Sequence, residues 1–141
     1  MPRRITAKVR FEAVVGDPVA LADIERHKVF LLRSGVYFLH EGCPKAFDPY
    51  SAAVVYIGKA IGETIFSRCR KHRAAISADP NMRPGKNFRS YRAAIDSSAQ
   101  KLFVVPAFMD VTKPYLISCA EEYLLHTYAA RNGGKPRANT R

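Results

Sequence analysis

The chain has 141 residues, 48% of them apolar, which is enough for one soluble domain with a buried core. Its 23 Lys and Arg against 12 Asp and Glu leave a net charge of +11, an excess that attracts polyanions and speeds encounter with them. That charge serves a plain nucleic-acid-binding protein as well as an enzyme acting on nucleic acid, whereas no run of ~18 apolar residues offers a membrane span.

The sequence predicts one α/β (α+β) domain over residues 1–141, with an N-terminal extension of about 30 residues and a small, mostly antiparallel, three-stranded sheet flanked by helices. The charged start has no apolar run behind it and is no secretory signal, so a cytoplasmic setting is the default. Residues 5–15 (ITAKVRFEAVV) alternate as a strand does and stop at Gly16-Asp17-Pro18. Val19 to Lys28 reads as a short helix or turn. SGVYFLH, ending at His40, and AVVYIG, ending at Gly58, read as two strands of a hairpin joined by the Gly- and Pro-bearing loop EGCPKAFDPYSA. Gly62 to about Ser77 reads as a helix, DPNMRPGKN as a basic loop, and Phe88 to Ser98 as a second helix. Lys101 to Met109 reads as the third core strand, with Pro106 marking an edge or a bulge. Pro114 suits the first turn of a last helix over about Tyr115–Ala130, and the Gly pair of RNGGKPRANTR suits its C-cap.

Cys43, Cys69 and Cys119 are odd in number, widely spaced and form no CxxC pair, which argues against a disulfide framework or a zinc ribbon. His40 and Cys43 stand close enough to chelate a metal, but no second pair answers them.

Three segments carry candidate chemistry. On the last helix Ile117, Leu124, Leu125 and Tyr128 share one face. Glu121 falls inside that apolar stripe, while Glu122 points away. A carboxylate on a core face is neutral, paired with a cation, bound to a metal, or placed at the rim with its head in water. On the first long helix Ile65, Phe66, Cys69 and Ile76 make the stripe, and Arg68 and His72, four apart, border it. Arg68 suits either phosphate chemistry or a structural salt bridge to Glu121. Arg70 and Lys71 turn outward, and Arg73, set between Phe66 and Ile76, is explained only by a snorkelling side chain. On the hairpin Tyr37 shares a face with Gly35 and Leu39, and Tyr56 with Val54 and Gly58, so pairing brings both phenols to one surface. Gly58 followed by Lys59 lets a backbone or a phosphate approach a lysine.

Taken together, these pieces resemble the GIY-YIG nuclease family. GVY, ending at Tyr37, stands where that family has its first signature, and VYIGKA, holding Tyr56, Gly58 and Lys59, where it has the second. FSRCRKH resembles the segment bearing the family's catalytic arginine, here Arg68, with His72 one turn later. AEEYLL resembles the segment of its metal-binding glutamate, and the register against the following Leu pair favours Glu121. KPRAN places Asn139 where a late asparagine often stands.

The resemblance implies an endonuclease that hydrolyses phosphodiester bonds, DNA ahead of RNA, with Mg²⁺ or Mn²⁺ held at Glu121. It implies Tyr37 as general base or water-orienting phenol, made more acidic by Arg68, Lys59 and the metal. Arg68 neutralises the phosphorus centre, Tyr56 and His72 lend hydrogen bonds or a proton relay, and Asn139 orders the site or touches phosphate. Gly58, Arg70, Lys71, Lys86, Arg89 and Arg92 are the expected nucleic-acid contacts. Specificity then falls to the hairpin loop, the basic segment from Arg83 to Arg92, a homodimer partner or an accessory protein. Two other functions fit the same residues: a catalytically silent nucleic-acid-binding module of this fold, and a basic scaffold for protein contacts.

Overall fold

The computed structural model describes residues 3–76, 101–110 and 112–139. Among them five strands form one antiparallel sheet: β1 (Val14–Val15), β2 (Val19–Ala20), β3 (Gly35–Glu41), β4 (Val54–Ala60) and β5 (Leu102–Phe108). β5 pairs with β3, β3 with β4, and both short strands pair with the other side of β5. The three long strands are those the sequence predicts; β1 and β2 enlarge the sheet beyond three. A 3-10 segment (Leu21–His27) runs into a single-turn helix α1 (Lys28–Leu31), followed later by α2 (Ile65–Ile76) and α3 (Pro114–Asn132). The predicted basic loop and the helix over Phe88–Ser98 lie outside the described residues. No described helix is long and apolar enough to cross a membrane.

Neighbouring residues of β3 point to opposite faces, and each face has its own core. Tyr37 and Leu39 pack with Val55, Ile65, Phe66 and Cys69 beneath α2 and the 3-10 segment. Val36 and Phe38 pack with Ile57, Val105, Ile117, Ala120 and Leu124 beneath α3. A thin sheet is thus covered on both sides, and β4 is left as the last strand on its side.

Local chemistry sets the helix ends. α2 begins at Ile65 rather than Gly62 because the Thr64 hydroxyl accepts from the Ser67 backbone N–H at 3.1 Å, an N-cap that fixes the first turn. α3 opens on Pro114, whose missing N–H costs nothing there, and closes on Gly133 at φ 76°, whose N–H donates to the Ala129 carbonyl at 2.9 Å.

One expectation is corrected and a second is settled. The strand predicted over residues 5–15 is reduced to Val14–Val15, because residues 3–10 are exposed and pair with no strand. Of the two places predicted for Pro106, the edge is not found, since β5 has neighbours on both sides, but a bulge is: three residues, Gly16 to Pro18, face Val105 and Pro106. The Pro106 carbonyl accepts from Gly16 N–H at 2.9 Å. In a strand a residue's N and O face the same side, so the absent donor faces the break between β1 and β2, where no ladder bond is lost.

Candidate active site

The register of β3 and β4 sets Tyr37 directly opposite Gly58. A Cβ at Gly58 would lie 2.5 Å from the Tyr37 hydroxyl and 2.6 Å from the Tyr56 ring. Gly58 is therefore the floor on which two phenols rest. It is buried and filled over by them, which replaces the expected close approach of a phosphate. The rings of Tyr37 and Tyr56 have centroids 6.1 Å apart, and the His72 ring lies 4.6 Å from that of Tyr56. The Tyr37 hydroxyl and His72 Nε2 are 2.6 Å apart. Arg68, one helical turn before His72, acts electrostatically on both phenols, and its Nε is buried without a hydrogen-bond partner.

Lys59 follows Gly58 and so points to the other face of β4. Its Nζ lies 3.3 Å from Ser118 Oγ and 3.7 Å from Glu121 Oε1 on α3. Glu121 is held by Lys59 rather than Arg68, so the salt bridge between Glu121 and Arg68 is not the arrangement found. The fields of Glu121 and Arg68 nevertheless reach each other, and Glu121 bears on Tyr56.

Asn139 has a different place from the one implied. Its Oδ1 accepts from Ile57 N–H at 2.9 Å and its Nδ2 donates to Ile57 O at 2.8 Å. Ala138 N–H also donates to Val55 O at 2.9 Å. The tail thus docks on β4 as a partial extra strand, and Asn139 spends both ends of its amide on backbone. Both bonds hold β4 in place at Ile57, between Tyr56 and Gly58.

Burial dominates the electrostatics. Burial first and the Arg68 charge second pull His72 down to about 3, so the imidazole is neutral. Burial drives Tyr37 well above its ordinary value, with Tyr56 and Cys69 adding to the rise and Arg68 only partly opposing it. Tyr56 is raised by the same cause. The expectation that protein cations acidify Tyr37 is therefore reversed: its hydroxyl has no exposure to water, and Lys59 faces the other side of the strand. Glu121 is also raised, by burial first, with Lys59 opposing and Glu122 assisting.

Glu121 fits a divalent cation. Its side chain keeps 16% exposure, and the 3.7 Å contact to a half-exposed lysine leaves its charge poorly compensated. Among the described residues no three His, Cys, Asp or Glu cluster. Such an ion would hold to one carboxylate and otherwise to water and phosphate, a coordination Mg²⁺ accepts.

The remaining candidates are dispersed. Arg70 and Lys71 are exposed on α2, Arg70 over the Phe66 ring at 5.9 Å and Lys71 near Glu63 at 3.4 Å. Lys86, Arg89 and Arg92 lie outside the described residues. Arg73, explained from sequence only as snorkelling, forms a two-pronged ion pair with Glu25 of the 3-10 segment. His40 bonds the Gly42 carbonyl at 2.8 Å, a structural use. Ser118 was missed; its signal was a small hydroxyl one turn before Glu121 on the same side of the helix. Comparison of the chain with family models, curated proteins and solved structures gave no match.

Proposed function

We propose that this chain is a divalent-metal-dependent endonuclease that hydrolyses DNA phosphodiester bonds in the manner of the GIY-YIG nucleases it resembles. The observation that carries this is the convergence of Tyr37, Tyr56, Arg68, His72 and Glu121 from two strands and two helices. Hydrolysis needs an activated water, positive charge that neutralises the phosphoryl oxygens, and help for the leaving oxygen. Arg68 offers its guanidinium to the phosphate, with a buried Nε still to be satisfied. The Tyr37 hydroxyl takes the proton of the attacking water as its own proton passes to His72 Nε2, 2.6 Å away. His72 is neutral and so has a ring nitrogen free to take that proton; burial and the Arg68 charge make the resulting imidazolium costly, and an anionic phosphate beside Arg68 offsets part of that cost. Glu121 would hold the divalent cation, and that ion, when bound, would supply positive charge to stabilise the leaving oxygen. Asn139 fixes Ile57 and with it the strand bearing both Tyr56 and Gly58.

The complete burial of Tyr37 favours a second assignment of the base. Tyr56 is only partly buried and is the phenol that solvent touches. In that variant Tyr56 meets the water, and Tyr37 with His72 forms the inner end of the relay. The same burial also favours the silent binding module, which keeps the fold without cutting. Incubation of supercoiled, branched and single-stranded DNA with Mg²⁺ or Mn²⁺ decides between cutting and binding. Binding without cleavage of any substrate selects the silent module.

A further inference from the structure

Residues 3–10 have no part in the site. All eight are exposed, they form no helix or strand, and Ile5 keeps 96% of its exposure. They include Arg3, Arg4, Lys8 and Arg10 and no acid. The segment has a fixed root. Phe11 packs edge-on against Tyr123 of α3 at 5.7 Å and, with Ala13, joins the core beneath that helix. Tyr123 lies two residues beyond Glu121 and so on the opposite flank of α3. The root stands about one helix width, some 10–12 Å, from the acidic end of the site.

The composition alternates. Drawn out as an extended chain, three of the four cations, Arg4, Lys8 and Arg10, fall on one side, while Ile5, Ala7 and Val9 fall on the other with Arg3 at its outer end. Phe11 and Ala13 continue the apolar row, and these two are the ones packed on the domain. Eight extended residues reach roughly 26–29 Å, the length of about eight base pairs of duplex. Arg10 has one ion partner, Glu12 at 2.8 Å, in a pair so exposed that it holds the arm only weakly.

We infer that residues 3–10 are a cationic arm that binds the phosphate backbone of a nucleic-acid duplex beside the site, anchored through Phe11 on α3. The inference rests on the proposed function for the identity of its partner. Cations gathered on one side of an extended segment follow a row of phosphates and release their counterions. The arm then supplies affinity and orientation to the site.

The test uses the full chain with Arg3, Arg4, Lys8 and Arg10 all changed to Ala. Duplex binding is measured from low to high salt, and cleavage is measured at saturating duplex. The variant is expected to bind more weakly, with the slope of log K against log salt reduced by about 2 to 4, at ~0.9 per phosphate lost. Cleavage at saturation should stay within about twofold of wild type. Equal affinity and slope in a wild type that cuts DNA overturn the arm alone. A wild type that binds DNA through the arm but cuts no substrate overturns the nuclease and leaves the arm standing. A wild type that ignores DNA, or a variant weakened only toward anionic phospholipid vesicles, overturns the arm's partner.

Discussion

The Tyr37 hydroxyl stands 2.6 Å from His72 Nε2, and both groups are buried. The strand pairing fixes the phenol through Gly58, and α2 fixes the imidazole. Moving the proton from the phenol to the imidazole leaves an imidazolium on His72, and the phenol stays neutral only if it takes the proton of the water in the same step. We expect Tyr37→Phe to fold normally and to cleave about 10²–10⁴-fold more slowly, the usual loss for one proton-transfer group. Tyr56→Phe, assayed beside it, tells which phenol meets the water. Near-normal cleavage by folded Tyr37→Phe removes Tyr37 as the base.

The same pair makes a prediction about stability against pH. His72 sits at about 3 in the folded chain, while an unfolded His binds its proton near 6.5. Between those values the unfolded state holds the extra proton, so stability rises with pH across the window and falls as pH drops through it. The full span is worth up to about 5 kcal/mol at 1.36 kcal/mol per pH unit. Melting temperatures of wild type and His72→Phe from pH 7 to pH 4 should converge or cross. Parallel curves would show that His72 is not the buried neutral group described.

Gly58→Ala tests the floor of the site. Its Cβ would fall 2.5 Å from Tyr37 atoms, so rings or strands must shift. Overpacking of this kind costs about 1–3 kcal/mol. We expect a lower unfolding midpoint in urea together with a loss of cleavage larger than the loss of folded protein. A variant of wild-type stability and activity would mean that the phenols are not seated as described.

Much of this arrangement was legible in the sequence. The alternation around GVY and VYIG placed Tyr37 and Tyr56 on one surface, and the i, i+4 spacing placed Arg68 with His72. The stripe on α3 separated Glu121 from Glu122, which the structure finds half-buried and exposed. What escaped depended on contacts distant in sequence. Nothing local tells Arg73 that Glu25 awaits it 48 residues away, or Asn139 that Ile57 needs its amide 82 residues back. The Tyr37 acidity was misjudged because nearby cations are visible as letters, whereas the depth of burial that outweighs them is a property of the packed sheet.

Asn139→Ala should be structural in its effect. It leaves the Ile57 N–H and C=O without partners on a partly buried edge, a cost of about 1–3 kcal/mol. Hydrogen exchange at Ile57 should speed up, and cleavage should fall because β4 is looser. Asn139→Asp restores an acceptor but no donor and should rescue only in part. Unchanged exchange at Ile57 would release Asn139 from this role.

Glu121 separates function from stability most sharply. Its carboxyl is raised by burial, and Lys59, 3.7 Å away and 40% exposed, compensates it only in part. A carboxylate raised in the folded state binds protons more readily there than when unfolded. Its contribution therefore favours folding at low pH and is lost as pH rises above the ordinary carboxylate range. At neutral pH the ionised Glu121 is a burden that the fold carries. Glu121→Gln removes that charge while keeping the shape, and the freed lysine still reaches water. We expect it to melt at the same temperature as wild type or higher at pH 7, and to bind DNA as well or better, having lost a negative charge beside a polyanion. It should not cleave at any Mg²⁺ or Mn²⁺ concentration, because the one protein carboxylate proposed to hold the ion is gone. Glu122→Gln, on the exposed side of the helix, should cleave as wild type does. A stable Glu121→Gln that still cuts would place the metal elsewhere. An inactive Glu122→Gln beside an active Glu121→Gln would move the ligand by one residue.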